Sequence, residues 1–357
     1  MVRTLLRPTA FVDSPFGHDG KVARLAGGLT WFAAVELLKI DDNKRVSSEL
    51  VPVEGIERRF DDEMAAQWAA LTAPRPPLQL GERTIRPDQP QVMGIVNATP
   101  DSFSDGGQFA DAAAAAAAGA DMAAQGAAIV DVGGESTRPG AKPVWEGDEI
   151  ERIAPIIRQL AAGGTAVSVD TRKADVMTAA IEAGARLIND VSALTHDDRA
   201  AGVVAAAGVP VILMHHQGDP QTMQDDPRYA DVLVEIYGWL EERIAAAQAA
   251  GIARDKILID PGFGFGKNVA HNLELMNGLA LFHSLGCPLV VGASRKRTVG
   301  ALSNEAPADQ RLGGSIAFAL KTVEQGAQIV RVHDVPETVQ ALRIWRGLRD
   351  QALTPRV

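Results

Sequence analysis

The sequence predicts an α/β fold: a (β/α)8 TIM barrel over residues 78–357, preceded by a small amino-terminal extension over residues 1–77 whose own fold the pattern leaves open. Three observations carry this reading. Beyond residue 90, eight short apolar runs rich in β-branched residues alternate with long alanine-rich stretches. Polar alternation does not break the runs, as expected for parallel strands covered on both faces. Each run also ends in a polar or ionisable residue, as a barrel with its chemistry at the carboxyl ends of the strands requires.

The runs are residues 92–96, 127–132, 166–169, 186–188, 209–214, 257–259, 288–291 and 328–332. Helical stretches lie between them, among them 110–125, 146–162, 173–183, 231–250 and 310–325. Glycines 126, 184, 208, 251, 286 and 326 precede strands, where helix ends favour a left-handed residue. A doubly wound open sheet competes, but eight near-equal units fit a closed barrel better. Before the barrel, Pro74-Arg75-Pro76-Pro77 reads as a stiff linker that should limit mixing of the two parts. Residues 78–90 suit a hairpin belonging to the barrel itself. The extension holds an apolar run at 29–40 and a helix at 61–71, opened by Asp61-Asp62-Glu63 near its positive end. No chemistry is visible there. It reads as a packing appendage, and deletion of residues 1–73 is expected to leave a folded, active barrel.

The chain has 357 residues, 46% hydrophobic and 22% charged, which excludes disorder throughout. A formal charge of −10 argues against nucleic acid or an anionic membrane as partner. Nearly all of that charge falls beyond residue 90. The single cysteine, Cys287, excludes an internal disulfide framework and a cysteine-rich metal site, and fits a reducing cytoplasm. The start lacks a signal-peptide pattern, and no stretch approaches the roughly 20 apolar residues of a membrane span.

The residues that follow each run converge. Run one ends at Asn97 and leads to a loop holding Phe103 and Asp105. Run two leads to Gly133-Gly134-Glu135-Ser136-Thr137-Arg138-Pro139-Gly140. Runs three and four end in Asp170 and in Asn189-Asp190, and run five in His215-His216. Run six reaches Asp260 and then Pro261-Gly262-Phe263-Gly264-Phe265-Gly266-Lys267. Run seven leads to Arg295-Lys296-Arg297, and run eight carries Arg331, Val332 and His333.

Common motifs do not account for this set. A Walker loop needs glycine where Pro261 stands, the glycines are not spaced as a dinucleotide fingerprint, and the adjacent histidines are not a zinc-protease pair. Arg138, Lys296, Arg297, Arg331 and His333 suit a phosphorylated ligand through charge-assisted hydrogen bonds. Asp170, Asn189 and Asp260 suit a planar ligand with several N–H donors and an acceptor, such as a guanidine-like heterocycle. The bland alternative is that these groups satisfy one another and nearby backbone. For three residues at equivalent positions on three strands, the ligand is favoured.

Seven segments in order, MGIVNATPDSFSDGG, DVGGESTRPG, SVDT, INDVS, DPGFGFGK, GASRK and RVHDV, closely resemble the dihydropteroate synthase family over about residues 91–350. The resemblance implies a homodimeric (β/α)8 barrel, a sulfonamide target, that joins 6-hydroxymethyl-7,8-dihydropterin diphosphate to p-aminobenzoate. It implies pterin contacts at Asp170, Asn189, Asp260 and Lys296, and diphosphate contacts at Thr137, Arg331, Val332 and His333. Asn97 would help hold Mg2+, and Asp105 would stabilise charge on the reacting methylene. Asp170, Lys296, Arg331 and His333 would join Asp105 in catalysis. Phe103, Arg138, Pro139, Phe265 and Lys296 would form the p-aminobenzoate site. Departures are small: Ala98, His216 and Thr298 replace residues more usual in the family. A methyl-transferring pterin barrel would not need Thr137, Arg331, His333 or the Phe103 loop. A silent paralogue should have lost Asn97, Lys296 or a loop.

Overall fold

The computed structural model describes residues 2–98, 108–135, 143–218 and 222–354, with backbone alone for 108–111. The extension is a four-stranded antiparallel sheet with one helix. Its strands are β1 (Arg3–Val12), β2 (Ala23–Arg24), β3 (Trp31–Asp41) and β4 (Lys44–Pro52), and its helix is α1 (Asp62–Thr72). β3 is central and pairs with the other three strands. Asp61 caps α1, its side chain accepting from the Met64 N–H at 2.8 Å.

A hairpin follows, β5 (Leu78–Leu80) and β6 (Arg83–Ile85). The barrel strands are β7 (Gln91–Asn97), β8 (Ile129–Gly133), β9 (Val167–Asp170), β10 (Leu187–Asp190), β11 (Val211–Met214), β12 (Ile257–Asp260), β13 (Val290–Val291) and β14 (Ile329–Val332). All are parallel, in the order β12-β11-β10-β9-β8-β7-β14-β13. A parallel bridge from Ile259 to Leu289 joins β12 to β13 and closes the ring. The main helices between and after the strands are α2 (Gln108–Ala124), α3 (Glu146–Ala162), α4 (Ala174–Ala183), α5 (Ala200–Ala207), α6 (Val232–Ala249), α7 (Val269–Asn277), α8 (Arg297–Leu302), α9 (Leu312–Glu324) and α10 (Val335–Ala352).

All eight expected strands form, and β7, β8, β9, β10 and β12 run one or two residues past the end of the apolar run. Asp170, Asn189 and Asp260 remain in the ladder, because backbone pairing does not depend on side-chain polarity. Successive side chains alternate across each strand. Val130, Val132, Val167, Val169, Ile188, Val211, Leu213, Ile257 and Ile259 pack outward on the helices. Met93, Ile129, Leu187, Ile212, Leu258, Val290 and Ile329 point inward and form a floor, which Leu78, Leu80 and Ile85 of the hairpin seal. Two residues further along, the inward positions of β8, β9, β10, β12 and β14 are polar: Asp131, Ser168, Asn189, Asp260 and Arg331.

The proline segment does not keep the extension and the barrel apart. Arg75 is buried, donating to the carbonyls of Ala70 and His283, each at 2.8 Å. Leu5, Leu38 and Ile40 belong to the main barrel cluster, and Ala280 of the barrel belongs to the extension's cluster. Arg3 holds Glu241 of α6 through two bonds of 2.6 and 2.7 Å. A proline run is stiff, but stiffness does not keep it in solvent. Here it delivers a guanidinium to the Ala70 carbonyl, which Pro74 cannot serve, and to the His283 carbonyl, which already accepts from the Gly286 N–H at 2.9 Å.

Candidate active site

The mouth is built one layer above the floor. In β8 the residue inward of Ile129 is Asp131, fully buried. Its Oδ2 accepts from Asn189 Nδ2 at 2.9 Å and from Arg331 Nε at 2.6 Å. Arg331 Nη2 also donates to Asp170 Oδ2 at 2.8 Å. Each acid keeps one buried oxygen, Oδ1, with no hydrogen-bond partner among the described residues. Leaving such acceptors dry costs free energy unless a ligand donates to them. Burial pushes Asp170 up to about 7, against the pull of Arg331 and helped by the nearby negative charge of Asp131. With its N–H committed to Asp131, Asn189 presents its carbonyl oxygen as an acceptor.

Asp260 forms the opposite wall. It accepts from the Gly262 N–H at 2.7 Å, and burial raises it to about 6 despite that bond and the nearby Lys296. The loop after it is pressed flat against the end of β11. Gly262 and Gly266 have φ of +70 and +61, and a Cβ there would lie 1.8 Å from the His215 carbonyl oxygen and 2.5 Å from that of Gln217. Only glycine fits. Lys267 ties the loop from inside. Its Nζ lies 2.9 Å from the Gly262 carbonyl, 3.0 Å from that of Phe265 and 3.0 Å from His215 Nδ1. Burial lowers Lys267 to about 7 and keeps His215 neutral, so this lysine is a tie rather than an anion hook. The Phe265 ring sits under Lys296, with Nζ 4.0 Å from its centroid.

His333 lies at the end of β14, its Nδ1 3.1 Å from Ser294 Oγ. Burial and the charges of Arg331 and Arg295 hold it down at about 4, so it offers the mouth a hydrogen-bonding group rather than a cation. Val332 is buried on the outward side of the same strand. Asn97 ends β7 half-buried. The bland reading holds for Asp190, whose carboxylate binds the Ser192 N–H, the Ser192 hydroxyl and the Leu194 N–H. Arg297 is exposed on α8. Phe103, Asp105, Thr137, Arg138 and Pro139 lie outside the described residues.

Three features escaped the sequence reading. Asp131 sits inside an apolar run rather than at its end, and the available signal was an acid within a run otherwise apolar throughout. Lys267 looked like part of a phosphate loop, and its partners emerge only with the loop's path. The third is a buried set: Lys173 Nζ meets Glu149 Oε2 at 2.6 Å and the Val144 carbonyl at 2.6 Å, while Glu135 accepts from the Val144 N–H at 3.0 Å. It joins the two ends of the second loop.

Comparison with known proteins agrees with this geometry. The pterin binding enzyme family matches residues 93–333. The chain is 48% identical over 256 residues to the dihydropteroate synthase of Escherichia coli K12, spanning 71% of this chain and 90% of that enzyme. It is 46% identical over 275 residues to that of Neisseria meningitidis serogroup B, spanning 76% and 96%. The Xanthomonas albilineans dihydropteroate synthase with 4-aminobenzoic acid superposes with a TM-score of 0.73 at 47% identity, covering 78% of this chain and all of the other. The same enzyme in complex with 7,8-dihydropteroate superposes at 0.70 and 43% identity, again covering 78% and 100%. The chain belongs to the pterin binding enzyme family, in its dihydropteroate synthase branch.

Proposed function

We propose that this barrel mouth performs the dihydropteroate synthase reaction with the pterin on the acids of β8, β9 and β12 and the arylamine beside Phe265. The observation that carries the reading is the pair of buried, unpartnered oxygens on Asp131 and Asp170, next to the Asn189 carbonyl and Asp260. Acceptors set in an arc suit the amine and ring N–H groups of a reduced pterin.

In the reaction, the bond from the pterin methylene to the diphosphate oxygen breaks and diphosphate leaves with the electron pair. The amine nitrogen of p-aminobenzoate then bonds to that carbon and gives up a proton. The carboxylates hold the pterin ring and stabilise the positive charge that spreads over it as the bond breaks. Lys296 and Arg331 offset the charge of the departing diphosphate, and His333 donates to it. Phe265 gives the arylamine ring an apolar wall. Thr137, Arg138, Pro139, Phe103 and Asp105 complete the two substrate sites in this reading.

Magnesium fits this mouth on one condition. No three His, Cys, Asp or Glu side chains converge on a cation site among the described residues, so the ion must take most of its shell from diphosphate and water. Asn97 offers a hard amide oxygen at the mouth and would be its protein ligand. Bound there, the ion would neutralise the leaving group. The same reading takes the protein as a homodimer, for which exposed Ile344 and Leu348 on α10 offer apolar surface. It also takes the protein as cytoplasmic, because one buried thiol, Cys287, suits a reducing compartment. Sulfonamides, as mimics of p-aminobenzoate, should compete with it at the Phe265 side.

The direct test is diphosphate release from the pterin diphosphate with and without p-aminobenzoate. Release that depends on the arylamine and yields dihydropteroate is expected. Release that ignores it would remove the arylamine site, and tight pterin binding by the doubly substituted Asp131→Leu, Asp170→Leu protein would remove the acids.

A further inference from the structure

We propose that the amino-terminal extension is a positioning element for the arylamine side of the active site, acting through Arg45 on the glycine loop after β12. The extension lies outside the residues that the family matches. Its β3–β4 hairpin turns at Asp42-Asn43, with φ of 48 and 57. A two-residue turn of this hand needs positive φ at both positions, which Asp and Asn tolerate better than other side chains. Directly after the turn the register jumps: Ile40 faces Arg45 and Lys39 faces Ser47, leaving Val46 as an extra residue. A bulge of this kind re-aims its neighbours.

Arg45 is aimed at the barrel. Its Nε donates to Asp231 Oδ2 at 2.8 Å, and its Nη2 lies 3.7 Å from Glu274 on α7. The Asp231 side chain is only 10% exposed, so water screens this pair less than an open surface pair. Asp231 caps α6, its Oδ1 accepting from the Leu233 and Val234 N–H groups, both at 3.1 Å. Arg45 thus joins the start of α6 to α7, the helix that follows the glycine loop. Two residues before the cap, the Tyr229 hydroxyl donates to the Gly266 carbonyl at 2.9 Å, and its ring meets His271 of α7 edge-on at 5.0 Å. Gly266 adjoins Phe265, whose ring supports Lys296. The path from the extension to Phe265 therefore runs from Arg45 to Asp231, through two residues of backbone to Tyr229, and across the hydrogen bond from Tyr229 to Gly266.

The inference rests on the reading of Phe265 as an arylamine contact, so the experiment separates the two. In the full-length enzyme, Arg45→Gln should raise KM for p-aminobenzoate about fivefold, a coupling size typical of residues in one network. Pterin diphosphate affinity and kcat should stay unchanged. Tyr229→Phe should do the same, and the double variant should be no worse than the stronger single one. Arg45→Lys should restore part of the loss. A lower Tm with KM unchanged, a uniform loss for both substrates, or multiplicative effects in the double variant would overturn the positioning role. Phe265→Ala with KM for p-aminobenzoate unchanged would remove the arylamine reading and the positioning role with it.

Discussion

The two ends of this barrel are made from the same strands and obey opposite rules. At the floor, every inward side chain is apolar, and the β5–β6 hairpin seals it with Leu78, Leu80 and Ile85. Two residues further along stand Asp131, Ser168, Asn189 and Asp260, and four residues beyond Ala166 stands Asp170, all buried. Among them Asp131, Ser168 and Asp170 each hold an oxygen with no partner among the described residues. The floor gains from burial; the mouth sacrifices it. Stability and recognition are thus separated along the strand axis, because the period-two alternation places a floor residue and a mouth residue on the same inward face of one strand.

The separation can be attacked at both ends. The largest effect is expected at the floor. Leu258→Ala should lose about 2–5 kcal/mol of stability, from lost transfer energy and the cavity left behind. In urea unfolding that loss should be plain, while calorimetry on the folded variant shows pterin diphosphate affinity unchanged. Affinity falling in step with stability would mean that the two ends are one unit.

At the mouth, Asp260→Asn should weaken pterin binding by about 1–3 kcal/mol, because an amide N–H would face a ligand donor. The same variant should stabilise the empty protein, with a sign set by linkage. Burial raises Asp260 from its ordinary value of 3.8 to about 6 in the folded state. A raised acid favours the folded state fully below its ordinary value, and that contribution is lost as pH climbs through about 6. Tm of Asp260→Asn relative to the parent should therefore rise between pH 4 and pH 7 and level off above. A flat difference would show that Asp260 is not held high in the folded protein.

The smallest effect should come from the boundary between the layers. Ser168 is fully buried and its hydroxyl has no partner. Ser168→Ala removes a dry polar group and should add about 0.5–1 kcal/mol of stability with pterin affinity unchanged. A loss of affinity would instead lower the boundary of the ligand site by one layer.

Strands, helices and the strand-end residues Asp170, Asn189, Asp260, Lys296, Arg331 and His333 were legible because periodicity and motif order are properties of the chain itself. Asp131 was not, because its inward direction depends on which face of β8 the barrel encloses. Pro261 already excluded a Walker role for Lys267, but its role as an internal tie was not legible, because only the fold supplies three acceptors for its ammonium. The partnership of Arg331 with Asp131 and Asp170 spans 200 and 161 residues of sequence. No local pattern encodes such a pair.

The extension marks the limit most clearly. Local chemistry alone determined its helix start at Asp61 and the stiffness of its proline segment. It also determined the eight β-then-α units of the barrel, because hydrophobic period, capping and glycine placement act over a few residues. Which carbonyls Arg75 would reach, and that Arg75 and Arg45 would bridge to the barrel, were decided only by the tertiary structure. Burying an arginine is favourable only where acceptors from distant segments converge, and that convergence arises only once the chain has folded.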